Sequence, residues 1–170
     1  MSVVTKDVDL GYKAFLREVE KAKKQPYVKI GFQEEKGNAL HPGSMGEKPL
    51  TIVQVATFNE FGTKTAPERS FIRSTMDDKR PELVKLTKKL FNQMAAGKMS
   101  TERALKILGI KIKALIQRKI TTLRQPPNKP RTIRAKKSSN PLIDTGTMRQ
   151  SVTYKVEVSG AGLKEGFKAK

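Results

Sequence analysis

Apolar side chains recur along the chain at three- and four-residue steps in several stretches and at alternate positions in two others. Val8, Tyr12, Phe15, Val19 and Ala22 share one face of a helix predicted over residues 7–24, with Asp7 or Asp9 as N-cap and Pro26 beyond its end. Tyr27–Phe32 alternates and contains β-branched residues, as a strand does. Residues 33–49 carry three glycines and two prolines without periodicity, which predicts a long mobile loop. Ile52, Val55, Ala56 and Asn59 then predict a short helix over residues 51–60, stopped at Gly62, where glycine can turn left-handed.

Asp77 or Asp78 followed by Pro81 signals the start of a third helix, because proline is tolerated where a missing N–H would be unpaired anyway. Leu83, Leu86, Leu90 and Met94 form its apolar stripe, and Gly97 closes it. Ser100 caps a second long helix whose Ala104, Leu105, Leu108, Ile112, Leu115, Ile116 and Leu123 fall within roughly 120° of one another. Lys106, Lys113 and Arg124 project from the opposite side, while Lys119 falls inside the apolar sector and Ile107 and Ile110 outside it. Residues 125–141 combine four prolines with Lys129, Arg131, Arg134, Lys136 and Lys137, which predicts an extended basic arm ordered by contact. Residues 151–158 alternate as a second strand, and the Gly- and Lys-rich residues 159–170 predict a flexible tail. The order of elements predicts one α+β domain over residues 1–158. Its small, mainly antiparallel sheet would carry two long and two shorter helices on one face.

Charge sharpens this picture. The chain of 170 residues has 35 Lys and Arg against 16 Asp and Glu, a net charge of +19. Residues 1–78 hold 12 basic and 11 acidic side chains, whereas residues 97–137 hold 13 basic residues and only Glu102 as acid. Such a block repels itself unless an anionic surface is near, or it serves as a solvated face that keeps the chain soluble. The block contains no Phe, Tyr or Trp, so contact with nucleic acid would be with phosphates rather than by stacking on bases. No stretch of eighteen apolar residues occurs and residues 1–20 lack a secretion pattern, so a soluble protein that stays in the cytosol, away from membranes, is expected.

Catalytic and metal chemistry find little purchase. The chain has no cysteine and a single histidine, His41, which excludes disulfides and zinc-type ligand sets. The glycines at 37, 43 and 46 lack the Lys-Ser/Thr ending of a phosphate loop, and neither a cofactor nor a metal is expected. Asp144-Thr145-Gly146 imitates the active turn of dimeric aspartic proteases over three residues only, and Thr147 stands where those enzymes carry alanine. The structural alternative makes Asp144 the cap of a turn or short helix beginning near Thr145.

Three segments together carry a resemblance: residues 57–63 (Thr-Phe-Asn-Glu-Phe-Gly-Thr), residues 66–73 (Ala-Pro-Glu-Arg-Ser-Phe-Ile-Arg) and residues 141–152, around Asp144, Thr145 and Gly146. At these separations they resemble the tail-component and neck-protein families of long-tailed bacteriophages, of the virion-morphogenesis or tail-completion type. The resemblance implies a non-enzymatic virion protein, assembled in the host cytoplasm and placed at the head-to-tail junction as a ring, a hexamer, around the DNA channel. Its implied partners are other copies of itself, neighbouring neck and tail-tube or tail-terminator proteins, and packaged DNA through its phosphates. Within the motifs, Phe58, Phe61 and Phe71 are expected as apolar anchors. Gly62 would permit a turn beside Asn59, Pro67 would stiffen a link, and Arg69 would pair with Glu60 or Glu68. The basic arm would either line the channel or reach an acidic neighbour. A sequence-independent nucleic-acid-binding protein is the alternative function.

Overall fold

A computed structural model of the chain describes residues 11–42 and 49–158. These residues form seven helices and two strands: α1 (Tyr12–Lys23), β1 (Tyr27–Phe32), α2 (Glu34–Gly37), α3 (Ile52–Phe61), α4 (Arg73–Ala95), α5 (Thr101–Thr122), α6 (Pro130–Lys136), α7 (Thr147–Ser151) and β2 (Val152–Glu157). β1 and β2 pair antiparallel, from Tyr27 opposite Glu157 to Phe32 opposite Val152. The protein is thus α+β with a small antiparallel sheet.

A two-stranded sheet is marginal by itself and needs a helix on its face. α5 packs against both strands. At the crossing Gly109 is buried, and a Cβ there would lie 2.6 Å from Cδ2 of Tyr154 and 3.1 Å from Cγ2 of Val28, so glycine lets the helix approach the sheet this closely. α4 runs antiparallel along α5, since Asp78 pairs with Lys119 at 2.9 Å and Glu82 with Lys111 at 2.6 Å. The Asp78 pair explains why Lys119 interrupts the apolar sector: its aliphatic stem lies on the helix pair while its charge meets α4. Ile110 is exposed, in line with its place outside the sector. The core joins Ile52 and Ala56 of α3, Phe71, Leu83 of α4, Ile112, Ile116 and Ile120 of α5, and Leu142, Met148 and Val152. Phe71 is wholly buried and meets the edge of the Phe32 ring at 6.3 Å; burying a side chain of this kind stabilises by roughly 1.5–3 kcal/mol.

Four expectations need correction. α4 begins at Arg73 and Pro81 lies inside it, because the helix start is capped by a distant carboxylate rather than by Asp77 or Asp78. The predicted loop 33–49 contains α2 and an isolated bridge between Leu40 and Thr51; residues 43–48 lie outside the described residues. The predicted extended arm 125–141 instead includes α6, with Pro130 at its first turn, and is fastened to the body. Asp144 does not cap α7: Gly146 is the N-cap, in a left-handed conformation, and has no side chain to close that helix end. Thr145 Oγ1 instead accepts from the Thr147 N–H and lies 2.7 Å from the Thr147 hydroxyl. α2, α6 and α7 add to the four helices that periodicity predicts, each being too short to show a repeat. The anticipated tail 159–170 and the caps Asp7 and Asp9 lie outside the described residues.

α1 matches its predicted position from Tyr12 onward but buries no residue. It is tied down by a polar contact. Glu18 Oε2 accepts from both the N–H and the hydroxyl of Thr101, each at 2.7 Å, at the start of α5, where Ser100 Oγ also accepts from the Arg103 N–H. Burial works against the charged form of Glu18. The bonds from Lys21 and Thr101 outweigh it and lower its pKa to about 2.

Candidate functional site

α3 delivers Glu60 to the start of α4. Thr51 and Gln54 form a capping box at the front of α3, and Gly62 ends it at φ 75°. A Cβ on Gly62 would lie 2.9 Å from the Glu68 nitrogen, so only glycine lets the link 63–72 fold back this tightly. Asn59 O accepts from the Arg69 N–H at 2.7 Å and fixes the returning strand of that link. The buried Glu60 carboxylate accepts from the N–H groups of Phe71, Ile72 and Arg73 at 2.7–2.9 Å and from the Ser70 hydroxyl at 2.8 Å. Burial alone would raise its pKa, but these donors at a helix N-terminus outweigh it and hold the carboxyl below its ordinary range.

Arg69 pairs with neither Glu60 nor Glu68, contrary to the expectation from sequence. Glu68 pairs instead with Arg73. The guanidinium of Arg69, itself buried, donates through Nε to Pro126 O at 2.8 Å and through Nη2 to Pro127 O at 3.0 Å. Two prolines in sequence offer carbonyls without competing N–H groups, so a fork of donors clamps the segment after α5. The same segment is held further along by Asn140, whose Nδ2 donates to Thr121 O at 2.8 Å and whose Oδ1 accepts from the Leu142 N–H at 2.9 Å. These bonds close the end of α5 and order what sequence alone reads as an arm.

All three motif segments line a single cavity of about 440 Å³: Asn59 from the first, Ala66, Pro67 and Arg69 from the second, and Pro141, Leu142, Asp144 and Met148 from the third. Lys129, Lys136 and Asn128 contribute from α6 and the turn before it, and His41 from the far side. Lys136 Nζ donates to Pro141 O at 3.2 Å. Burial pushes its pKa below the ordinary value; Asp144 opposes this from beyond ion-pair distance, and Arg69 adds to it.

The remaining predicted residues scatter. Lys106 pairs with Glu102 along α5, and Arg124 turns back onto the Thr121 and Leu123 carbonyls. Lys113 is half-buried on α5, away from the cavity lining. Arg131, Arg134 and Lys137 are exposed on α6 and its end, Lys137 at φ 52°. Of the three aromatic anchors only Phe71 is buried. Phe58 and Phe61 are exposed, with the Arg73 guanidinium 5.9 Å from the centre of the Phe61 ring. Among the described residues no group of three His, Cys, Asp or Glu could hold a metal ion, and no helix is long and apolar enough to cross a membrane. Glu18, Asn128 and Asn140 are additions that periodicity does not reveal, although Asn140-Pro141 carries the signature of a side-chain-closed turn.

Comparison of the chain with protein-family models, with curated proteins and with solved structures finds no match.

Proposed function

We propose that this chain is a structural virion protein of a tailed bacteriophage, a neck or tail-completion subunit at the head-to-tail junction that works by holding other proteins rather than by catalysis. The observation that carries this is the convergence of the three motif segments, far apart in sequence, on one cavity, with two separate fastenings beside it: Glu60 on the start of α4 and Arg69 on the Pro126 and Pro127 carbonyls. A set of residues used to fold a link back and clamp a basic segment suits a part whose task is to present surfaces. Phe58 and Phe61, exposed next to that link, are apolar surface available to a neighbouring subunit. A sixfold ring around the DNA and partners among neck, tail-tube and tail-terminator proteins follow from the resemblance of the motifs. Imaging of purified virions with labelled antibody tests the proposal. Label at the junction, with unjoined heads and tails when the gene is deleted, supports it; absence from finished particles, or normal joining without the gene, refutes it.

Sequence-independent binding of nucleic acid is the second reading. It is favoured by Lys129, Arg131, Arg134 and Lys137, which are exposed and form no ion pair among the described residues. If these four cations each neutralised one phosphate, retention on DNA would fall with a log–log salt slope of roughly −3.6. A flat response would leave these cations to protein contacts.

A further inference from the structure

The cavity bounded by α3, the link after it and α6 has a composition that selects its occupant. Among the described residues three cations line it, Arg69, Lys129 and Lys136, against one carboxylate, that of Asp144. Arg69 is already engaged by two carbonyls, so the charge left to a ligand is that of the two lysines. The Lys136 ammonium is half-buried, with one carbonyl acceptor and no ion-pair partner among the described residues, and burial without a close counter-charge there leaves it incompletely compensated. Asn128 lines the same cavity, with its Nδ2 enclosed and without a hydrogen-bond partner among the described residues. The walls between these groups are apolar, formed by Val55, Pro67, Leu142 and Met148 among others. The volume lies within the range of about 300–1,000 Å³ typical of sites that enclose a ligand.

A bare phosphate would use the lysines and leave the walls empty. A nucleotide would need a stacking surface, and no Phe, Tyr or Trp lines the cavity. We infer that the cavity receives an acidic peptide segment of a partner protein. A carboxylate of that segment meets Lys129 and Lys136, and an adjacent apolar side chain lies against Val55, Pro67, Leu142 and Met148. The inference goes beyond the virion assignment and does not rest on it, since it follows from the lining alone.

The test is fluorescence anisotropy on the full chain, with a labelled Gly-Glu-Leu-Asp-Leu peptide and its Gly-Gln-Leu-Asn-Leu counterpart. The acidic peptide binds saturably, and the amide peptide binds at least about tenfold more weakly. Lys129→Gln and Lys136→Gln each weaken the acidic peptide about tenfold, whereas Arg131→Gln, which removes the same charge from α6 outside the cavity, changes it less than about twofold. Lys129 is exposed and makes no side-chain bond among the described residues, so its variant decides the matter even if Lys136→Gln unfolds. Equal loss from Arg131→Gln, equal binding of the two peptides, no binding of either, or displacement of the peptide by oligothymidine at comparable concentration would each overturn the inference.

Discussion

Replacing Glu60 by glutamine changes one atom in the most heavily used carboxylate of the fold. Oε1 accepts from Arg73 N–H and Ser70 Oγ, and Oε2 from Phe71 and Ile72 N–H. If Oε2 becomes the amide nitrogen, both of its N–H bonds are lost; if Oε1 does, the Arg73 bond is lost and the Ser70 hydroxyl must turn to accept. In either case a donor is set against a backbone donor, the remaining bonds lose their charged acceptor, and the charge that favoured the start of α4 disappears. Hydrogen bonds to a charged acceptor contribute about 1.5–3 kcal/mol each, so Glu60→Gln should cost about 3–5 kcal/mol. For a domain of this size that lowers the thermal midpoint by roughly 6–20 °C. Urea unfolding followed by circular dichroism measures the loss directly. The carboxyl is held below its ordinary 4.5 in the folded protein, so its stabilisation is fully present above that pH and is lost as the pH falls through the lower folded value. The gap between the native chain and Glu60→Gln is therefore widest near pH 7 and narrows below 4.5. A cost under about 1 kcal/mol, or a gap that ignores pH, would refute the role given to this cap.

Gly109→Ala should destabilise by about 1–3 kcal/mol despite alanine's better helix propensity, because its Cβ would lie 2.6 Å from the Tyr154 ring. Adding Tyr154→Ser should recover part of the loss, and additive costs in urea unfolding would show that the two do not meet. Glu18→Gln should release α1 without unfolding α4 and α5, seen as faster amide hydrogen exchange over residues 12–23 alone. In the native chain the same release should come between pH 4.5 and about 2, since the folded pKa of Glu18 is depressed to that value and its contribution fades across that window. Uniform exchange along the chain in either case would contradict an independently held α1.

Local signals were legible where the stabilising contacts are themselves local. The alternation of Tyr27–Phe32 and of most of residues 151–158, the Ser100 cap and the positive-φ glycines Gly62 and Gly97 depend on neighbours within a few residues, and each lies where periodicity and turn chemistry put it, apart from Ser151, which ends α7. Most of the apolar stripe of α5 was readable for the same reason, although Ile120, wholly buried, escaped it. The start of α4 was not readable, because its cap comes from Glu60 across a turn, and Asp77-Asp78 before Pro81 imitates a start that the chain does not use.

The three motif segments meet around one cavity, but sequence did not show what their side chains touch. Arg69 stands beside two glutamates in the chain, yet it binds the carbonyls of Pro126 and Pro127, 57 and 58 residues away. Asp144 looked like a cap and instead lines a cavity opposite Lys136. Sequence by itself determined the helices and strands with strong periodicity, the net charge and its concentration after residue 97. Tertiary structure alone decided which carboxylate caps which helix, which basic side chains converge and which remain apart. Backbone periodicity is set by neighbours along the chain, whereas the pairing of a charge depends on which desolvated donor or acceptor the fold brings within about 3 Å of it.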